Sequence, residues 1–140
     1  MSKLVIKKYI LYIALVQSMI AVLGSLYYSE VKQYVPCTLC WYQRIFMYPL
    51  IIIILIGIIR NDKKLHWYVL PMSIIGWSIA LYHILLQKNI IPEAIAPCTL
   101  AATCKINHVG YFGFITIPVM AFTAFSIITI CMLIYKKWGK

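Results

Sequence analysis

Four of the five cysteines in this chain form two closely spaced pairs, and paired thiols can form, break and exchange disulfides. Two residues separate Cys37 from Cys40 and five separate Cys98 from Cys104, whereas Cys131 is alone. A Cys-x-x-Cys ring is a tight, reducible disulfide whose thiols often have depressed pKa values. The spacing therefore favours redox chemistry over two alternatives, which are inert disulfide staples and a zinc site with four cysteine ligands.

Two polar residues, Arg44 and His83, interrupt apolar stretches near these cysteines. We expect Cys40 in the first turn of a helix, where unpaired N–H groups and the helix dipole favour a thiolate. Arg44 follows four residues later, on the same helical face and about 6 Å along the axis, where its charge favours that thiolate further. A small polar site that contains Arg44 and His83 is therefore expected beside the first cysteine pair.

The composition places these residues in a lipid bilayer. Hydrophobic residues make up 64% of the 140 residues and charged residues 11%, against roughly 45–50% and about 25% in soluble proteins. Mean hydropathy is +0.90. These values exclude a soluble globular protein, a disordered chain and a small disulfide-stapled secreted domain. A net charge of +10 is accounted for by the basic loops of a membrane protein, so we expect no nucleic acid partner.

Four apolar runs are long enough to span the bilayer, at residues 9–28, 39–59, 67–86 and 111–135. About 20 helical residues cross a hydrocarbon core of ~30 Å, and a backbone without water must be helical. The first run exceeds the apolar core of a typical signal peptide, so we expect it to be a span. The sequence predicts an all-α membrane protein, one domain with four transmembrane helices and outer loops at about 29–38 and 87–110.

The distribution of basic residues predicts the orientation. Nine of the 13 lie in the N-terminal tail, the loop after the second span and the C-terminal tail, which a four-span protein places on one side. Short cytoplasmic loops are rich in Lys and Arg, so we expect both termini in the cytoplasm. The four paired cysteines then lie on the extracytoplasmic face of the cell membrane, where disulfides persist.

A thiolate at this membrane surface needs an electron acceptor that dissolves in lipid, which favours quinone. Arg44 or His83 could hydrogen-bond a quinone carbonyl and stabilise the charge that develops on reduction. An Arg inside a span is a functional candidate by default. The alternative for Arg44 is that it only extends its charged group to the lipid headgroups.

The other function classes fit less well. Four packed helices hardly need staples in loops this short. For zinc, the five residues between Cys98 and Cys104 exceed the usual spacing of about two to four, and no His or carboxylate cluster adjoins them, so we expect no metal. A proton-coupled transporter is disfavoured because no span contains Asp or Glu. Cys131, near the cytoplasmic end of the last span, fits a small apolar filler.

Residues 37–44, Cys-Thr-Leu-Cys-Trp-Tyr-Gln-Arg, resemble the Cys-x-Leu-Cys-x-Tyr-x-Arg signature of the DsbB family of disulfide-forming membrane oxidoreductases. Residues 83–87, His-Ile-Leu-Leu-Gln, are similar to the His-x-x-Leu-Gln stretch in the third span of that family. The order of four spans and two cysteine pairs also matches, so the resemblance covers essentially the whole chain. In bacteria, DsbA, DsbB and quinone together keep the periplasm oxidising.

The resemblance implies an electron path through both cysteine pairs. A DsbA-like, thioredoxin-like thiol oxidase outside the cytoplasm would attack the disulfide of Cys98 and Cys104 at Cys98. Cys104 would then attack the disulfide of Cys37 and Cys40 at Cys37. Cys40 would leave as the thiolate that hands electrons to quinone.

The resemblance further implies that Arg44 and His83 line the quinone site, with menaquinone or ubiquinone as the quinone. The chain departs from better-known relatives, which have a longer insertion between the second pair, so it is similar to the compact BdbC-like form of Gram-positive bacteria. Vitamin K epoxide reductases have a related architecture, but their Cys-x-x-Cys follows the loop pair. The residues themselves leave open which of three pairings the four outer cysteines adopt at rest.

Overall fold

Long helices make up most of the computed structural model, which describes residues 2–95 and 116–139. The elements are α1 at Lys3–Leu26, α2 at Thr38–Arg60, α3 at His66–Gln87 and α4 at Ile117–Gly139. A π-helical segment, Tyr27–Val31, continues α1, and a single 3-10 turn, Glu93–Ile95, follows α3. The described ranges contain no strand.

All four helices are long and apolar enough to cross a membrane, so the predicted four-helix membrane bundle is confirmed. Helices α2 and α3 each extend one residue beyond both ends of the predicted runs, and α1 begins earlier, at Lys3. Of the fourth predicted run, residues 111–115 lie outside the described residues. The β-branched run 51–54 is helical because only a helix satisfies its backbone groups within lipid.

The helices close a ring in which α1 and α3 each pack against both α2 and α4. The interior is apolar and includes fully buried Leu50, Ile54, Val69, Ala80, Phe125 and Ile128. Large apolar side chains such as Ile52 and Ile59 remain exposed on the outside. In lipid these outer faces need no protein partner, so association depends on close packing and interhelical hydrogen bonds.

Helices α3 and α4 approach closely at a glycine. A Cβ added to Gly76 would lie 2.3 Å from ring carbons of Phe125, which is fully buried. Two hydrogen bonds reinforce this interface, because Trp77 Nε1 donates to Ser126 Oγ and Thr129 Oγ1 donates to Ser73 Oγ, both at 3.0 Å. The absence of a side chain at residue 76 therefore sets how near the two helices can lie.

The connections place the two cysteines of the Cys-x-x-Cys pair at one end of the bundle. Asn61 caps the C-terminal end of α2, and its left-handed φ of 49° lets the chain turn sharply toward α3. At that end, the Tyr135 hydroxyl of α4 donates to the Asp62 carbonyl at 2.9 Å. The C-terminal end of α4 and the loop between α2 and α3 therefore share one end, and Cys37 and Cys40 lie at the other.

We expect Gly76→Ala to lower the unfolding temperature in detergent, because overfilling a packed interface costs about 1–3 kcal/mol. The matched control is Gly24→Ala in α1, where an added Cβ meets no atom within 4 Å. That change should stabilise the helix by roughly 0.5–1 kcal/mol. Equal unfolding temperatures for the two variants would contradict this account of the interface.

Candidate active site

The start of α2 brings two thiols together. Cys37 directly precedes the first helical turn, and its carbonyl accepts the first helical hydrogen bond, from the Trp41 N–H at 3.1 Å. Cys40 lies in that first turn, where the sequence predicts it. The two sulfurs are 3.1 Å apart, close enough for one to share its proton with the other.

Helix α3 adds an imidazole to this pair. His83 is buried, and its Nε2 lies 3.7 Å from Cys37 Sγ. Its Nδ1 faces the side-chain amide nitrogen of Gln43 at 3.4 Å. An amide NH₂ group can only donate, so we assign the acceptor lone pair to Nδ1 and the proton to Nε2. The Nε2 proton then points at the Cys37 sulfur.

These neighbours favour a thiolate at Cys37. The adjoining Cys40 thiol, and after it the hydrogen bond of His83, together lower the pKa of Cys37 from its ordinary value of 9.0 to about 4, although burial acts in the opposite direction. The sequence suggested a thiolate on Cys40, because of the helix dipole and Arg44. The structure differs because His83 contacts Cys37, so Cys37 holds the charge when both thiols are reduced.

Arg44 ties α2 to α1. Its Nε donates to Ser25 Oγ at 2.9 Å and its Nη2 to the Ser25 carbonyl at 3.0 Å. The guanidinium also lies over the Trp41 ring, 5.4 Å from the ring centroid. These three contacts hold the half-buried guanidinium between α1 and α2, about one turn from Cys40.

A cavity of about 190 Å³ is lined by Cys37, Cys40, Arg44 and His83, which brings these four predicted residues to one place. Its remaining walls are mainly apolar and come from all four helices, with Ile20, Met47, Tyr48, Met120 and Phe125 among them. A cavity of roughly 150 Å³ is known to hold benzene, so this one has room for a substituted six-membered ring.

The cavity reaches the outside of the bundle. Ile20 of α1 and Met120 of α4 line it, and both are exposed on the surface that a bilayer would cover. Such a cavity suits a ligand that dissolves in lipid.

Cys37, Cys40 and His83 could also act as metal ligands. The ligand atoms of Cys37, Cys40 and His83 all lie within 4.8 Å of one another, and two thiolates with an imidazole are zinc ligands. However, the amide of Gln43 faces Nδ1, which leaves the proton on Nε2, the nitrogen that a metal would need. The arrangement favours a hydrogen bond between imidazole and thiolate over metal coordination.

The other two predicted site residues, Cys98 and Cys104, lie outside the described residues. Cys131 is buried in α4 within the main apolar core and does not line the cavity. The structure also adds two residues that the sequence reasoning missed, Gln43 against His83 and Ser25 against Arg44. Helical spacing gave a signal for Gln43 alone, because it follows Cys40 by three residues and so shares its face.

Comparison with known proteins agrees with this geometry. The sequence profile of the family described as "Disulfide bond formation protein DsbB" matches residues 7–135. "Disulfide bond formation protein C" of Bacillus subtilis (strain 168) is 47% identical over 126 residues, which cover 90% of this chain and 91% of that protein.

Two further relatives extend the comparison. "Probable disulfide formation protein C" of Halalkalibacterium halodurans is 49% identical over 81% of this chain and 83% of its own length. "Probable disulfide formation protein" of Metapseudomonas resinovorans is 38% identical over 86% of this chain and 84% of its own length. No solved structure gives a significant match to this chain.

The hydrogen bond from His83 predicts how the reduced pair titrates. In a variant that keeps only Cys37 and Cys40 as cysteines, the thiolate should be present above a pH of about 4 and disappear as the pH falls through that value. We expect His83→Ala to raise the midpoint by about one to two pH units, because it removes a hydrogen bond to a charged group.

Ultraviolet thiolate absorbance measures this midpoint. Ser73→Ala is the matched control, since Ser73 is buried and hydrogen-bonded on the same helix but far from the cysteines. A midpoint that is the same in His83→Ala and in the control would contradict the assignment of the Nε2 proton.

Proposed function

The chain belongs to the DsbB family of membrane disulfide bond formation proteins, and from this premise we propose that it is a quinone-dependent thiol oxidoreductase. In this proposal it reoxidises a DsbA-like thiol oxidase outside the cytoplasm and passes the electrons through two cysteine pairs to a membrane quinone. The observation that carries the proposal is the pair of sulfurs 3.1 Å apart, beside a buried imidazole and inside a cavity that reaches the lipid-facing surface.

The first exchange takes place at the second cysteine pair. The thiolate of the reduced partner attacks Cys98, the disulfide of Cys98 with Cys104 breaks, and its electron pair leaves with Cys104. The new mixed disulfide joins Cys98 to the partner. The second thiolate of the partner then attacks the partner's sulfur in this mixed disulfide. The partner is released in its oxidised form, and Cys98 leaves as a thiolate.

The second exchange passes the electrons to the first pair. Cys104 attacks Cys37, the disulfide of Cys37 with Cys40 breaks, and Cys40 leaves as a thiolate. The first turn of α2, with its unpaired N–H groups, stabilises that charge. Each exchange forms one S–S bond and breaks another, so it needs an attacking thiolate and a stable leaving thiolate but no net proton.

His83 acts in the next step, in which Cys37 is released from its mixed disulfide with Cys104. Cys98 attacks Cys104, the disulfide of the second pair forms again, and Cys37 leaves with the electron pair. The Nε2 proton of His83 points at the sulfur that receives the charge. Gln43 keeps that proton in place by donating to Nδ1.

Arg44 and His83 are the proposed polar groups of the quinone site. Both line the cavity with Cys40, and the cavity has the size and the mainly apolar walls that a quinone ring needs. When bound, a quinone accepts two electrons and two protons, which returns the first pair to its disulfide. The fixed charge of Arg44 favours electron density arriving at the ring. Menaquinone and ubiquinone both offer the same pair of ring carbonyls.

The second candidate function is a non-catalytic membrane protein whose outer loops are stapled or hold zinc. The one observation in its favour is the cluster of Cys37, Cys40 and His83, whose ligand atoms lie within 4.8 Å. It predicts one zinc per purified chain, or outer cysteines that stay oxidised in mild reductant.

Quinone reduction by the purified protein tests the leading proposal. With a reduced DsbA-like thiol oxidase as electron donor, we expect Cys40→Ser and Cys98→Ser each to abolish turnover, because each removes a sulfur of the relay. Cys131→Ser is the matched control and should keep the wild-type rate, since Cys131 lies in the core away from the cavity. Turnover that persists in either of the first two variants would rule out the relay.

The proposed orientation has its own test. In a cysteine-free background, Lys32→Cys lies between α1 and α2, and Lys63→Cys between α2 and α3. The charge bias predicts that a membrane-impermeant maleimide labels residue 32 in intact cells and residue 63 only after permeabilisation. The reverse pattern would place the first cysteine pair on the cytoplasmic face.

A further inference from the structure

Tyr48 lines the cavity and has a buried hydroxyl without a partner among the described residues. Its side chain lines the same cavity as Cys40 and Arg44, and its oxygen has no hydrogen-bond partner among the described residues. A hydroxyl taken out of water without a hydrogen bond costs free energy, and bilayer hydrocarbon supplies no replacement. A buried, unpaired donor on a residue that lines a cavity is therefore an indication of a ligand with an acceptor atom.

Arg44 and His83, which also line the cavity, each have partners within the protein. Arg44 donates two of its nitrogens to Ser25. The Nε2 proton of His83 is directed at Cys37. Tyr48 is thus the residue among the described cavity walls whose buried polar atom is left for a ligand.

Its position on α2 suits a ring bound beside the cysteines. Cys40, Arg44 and Tyr48 follow one another at intervals of four residues and so lie along one face of the helix. Tyr48 is about 12 Å below Cys40 along the axis. Helical side chains lean toward the N-terminus, which brings the long tyrosine side chain back toward the level of Arg44.

We propose that the Tyr48 hydroxyl donates a hydrogen bond to the quinone carbonyl that lies farther from Cys40. This inference rests on the proposed function and adds a ligand contact to it. Two carbonyl oxygens lie at opposite ends of a quinone ring, so a donor deeper in the bundle fixes the ring with one end toward the sulfur. An ester carbonyl of a phospholipid has the same acceptor chemistry, and the experiment separates the two sources.

The test is Tyr48→Phe in the full-length protein, purified in phospholipid-free detergent, with decylubiquinone and menadione as probes. The dissociation constant for quinone, measured by titration calorimetry, should rise about three- to tenfold, as expected for loss of one neutral hydrogen bond. The KM for quinone should rise by the same factor. The unfolding temperature without quinone should stay the same or increase, because the hydroxyl removed has no partner in the protein.

Tyr135→Phe is the matched control, because the Tyr135 hydroxyl does have a protein partner, the Asp62 carbonyl at 2.9 Å. This variant should show the opposite pattern, with a lower unfolding temperature and an unchanged quinone dissociation constant. The contrast between the two variants separates a ligand contact from a structural one.

Three results would overturn the inference. An unchanged quinone dissociation constant in Tyr48→Phe would show that the hydroxyl does not contact the ring. A lower unfolding temperature without quinone, with unchanged affinity, would show a structural role. A lower unfolding temperature of Tyr48→Phe in phospholipid nanodiscs, with quinone affinity unchanged in detergent, would assign the hydroxyl to a lipid ester. If the wild-type protein neither binds nor reduces quinone, the proposed function itself fails. If the wild-type protein does both and Tyr48→Phe binds quinone equally well, only the inference about Tyr48 fails.

Discussion

Hydrocarbon offers no hydrogen-bond partner, and this constraint explains the main polar contacts between the described helices. On α3 and α4 it is met locally, where Trp77 reaches Ser126 and Thr129 reaches Ser73. A charged group needs more partners, and Arg44 donates to both the hydroxyl and the carbonyl of Ser25 on the neighbouring helix. These hydrogen bonds offset the free-energy cost of burying polar groups away from water. They also hold the helices that they join in one arrangement.

At the cysteine end the same constraint produces chemistry. Gln43, His83 and Cys37 form a line of contacts across α2 and α3, all of them buried. Because water is excluded, each group depends on the next, and the amide of Gln43 decides which imidazole nitrogen carries the proton. Gln43 has no redox chemistry of its own, but through His83 it influences which of the two sulfurs carries the negative charge.

The face of α2 that starts at Cys40 organises the cavity. Sulfur, guanidinium and phenol follow at four-residue intervals, and α1 and α4 supply apolar walls with exposed Ile20 and Met120 at the surface. A ligand in the cavity meets polar groups along α2 and α3 and, on α1, Gln17 and Ser25. Access from lipid and contact with thiols are thus combined in one small site at the end of the bundle.

The sequence by itself determined the class of fold and the identity of the thiol pair, because helices are obligatory for apolar runs of this length and Cys-x-x-Cys spacing is a local property. Arg44 and His83 were also recognisable, since polar residues are rare in such runs. Only the tertiary structure decided that His83 contacts Cys37 and that Arg44 binds Ser25. Each helix has apolar side chains on all of its faces. Hydrophobic periodicity in the sequence therefore does not show which face packs against which neighbouring helix. That rotation, set by packing, determined which side chains the donors near the cysteines contact and left the Tyr48 hydroxyl without a partner among the described residues.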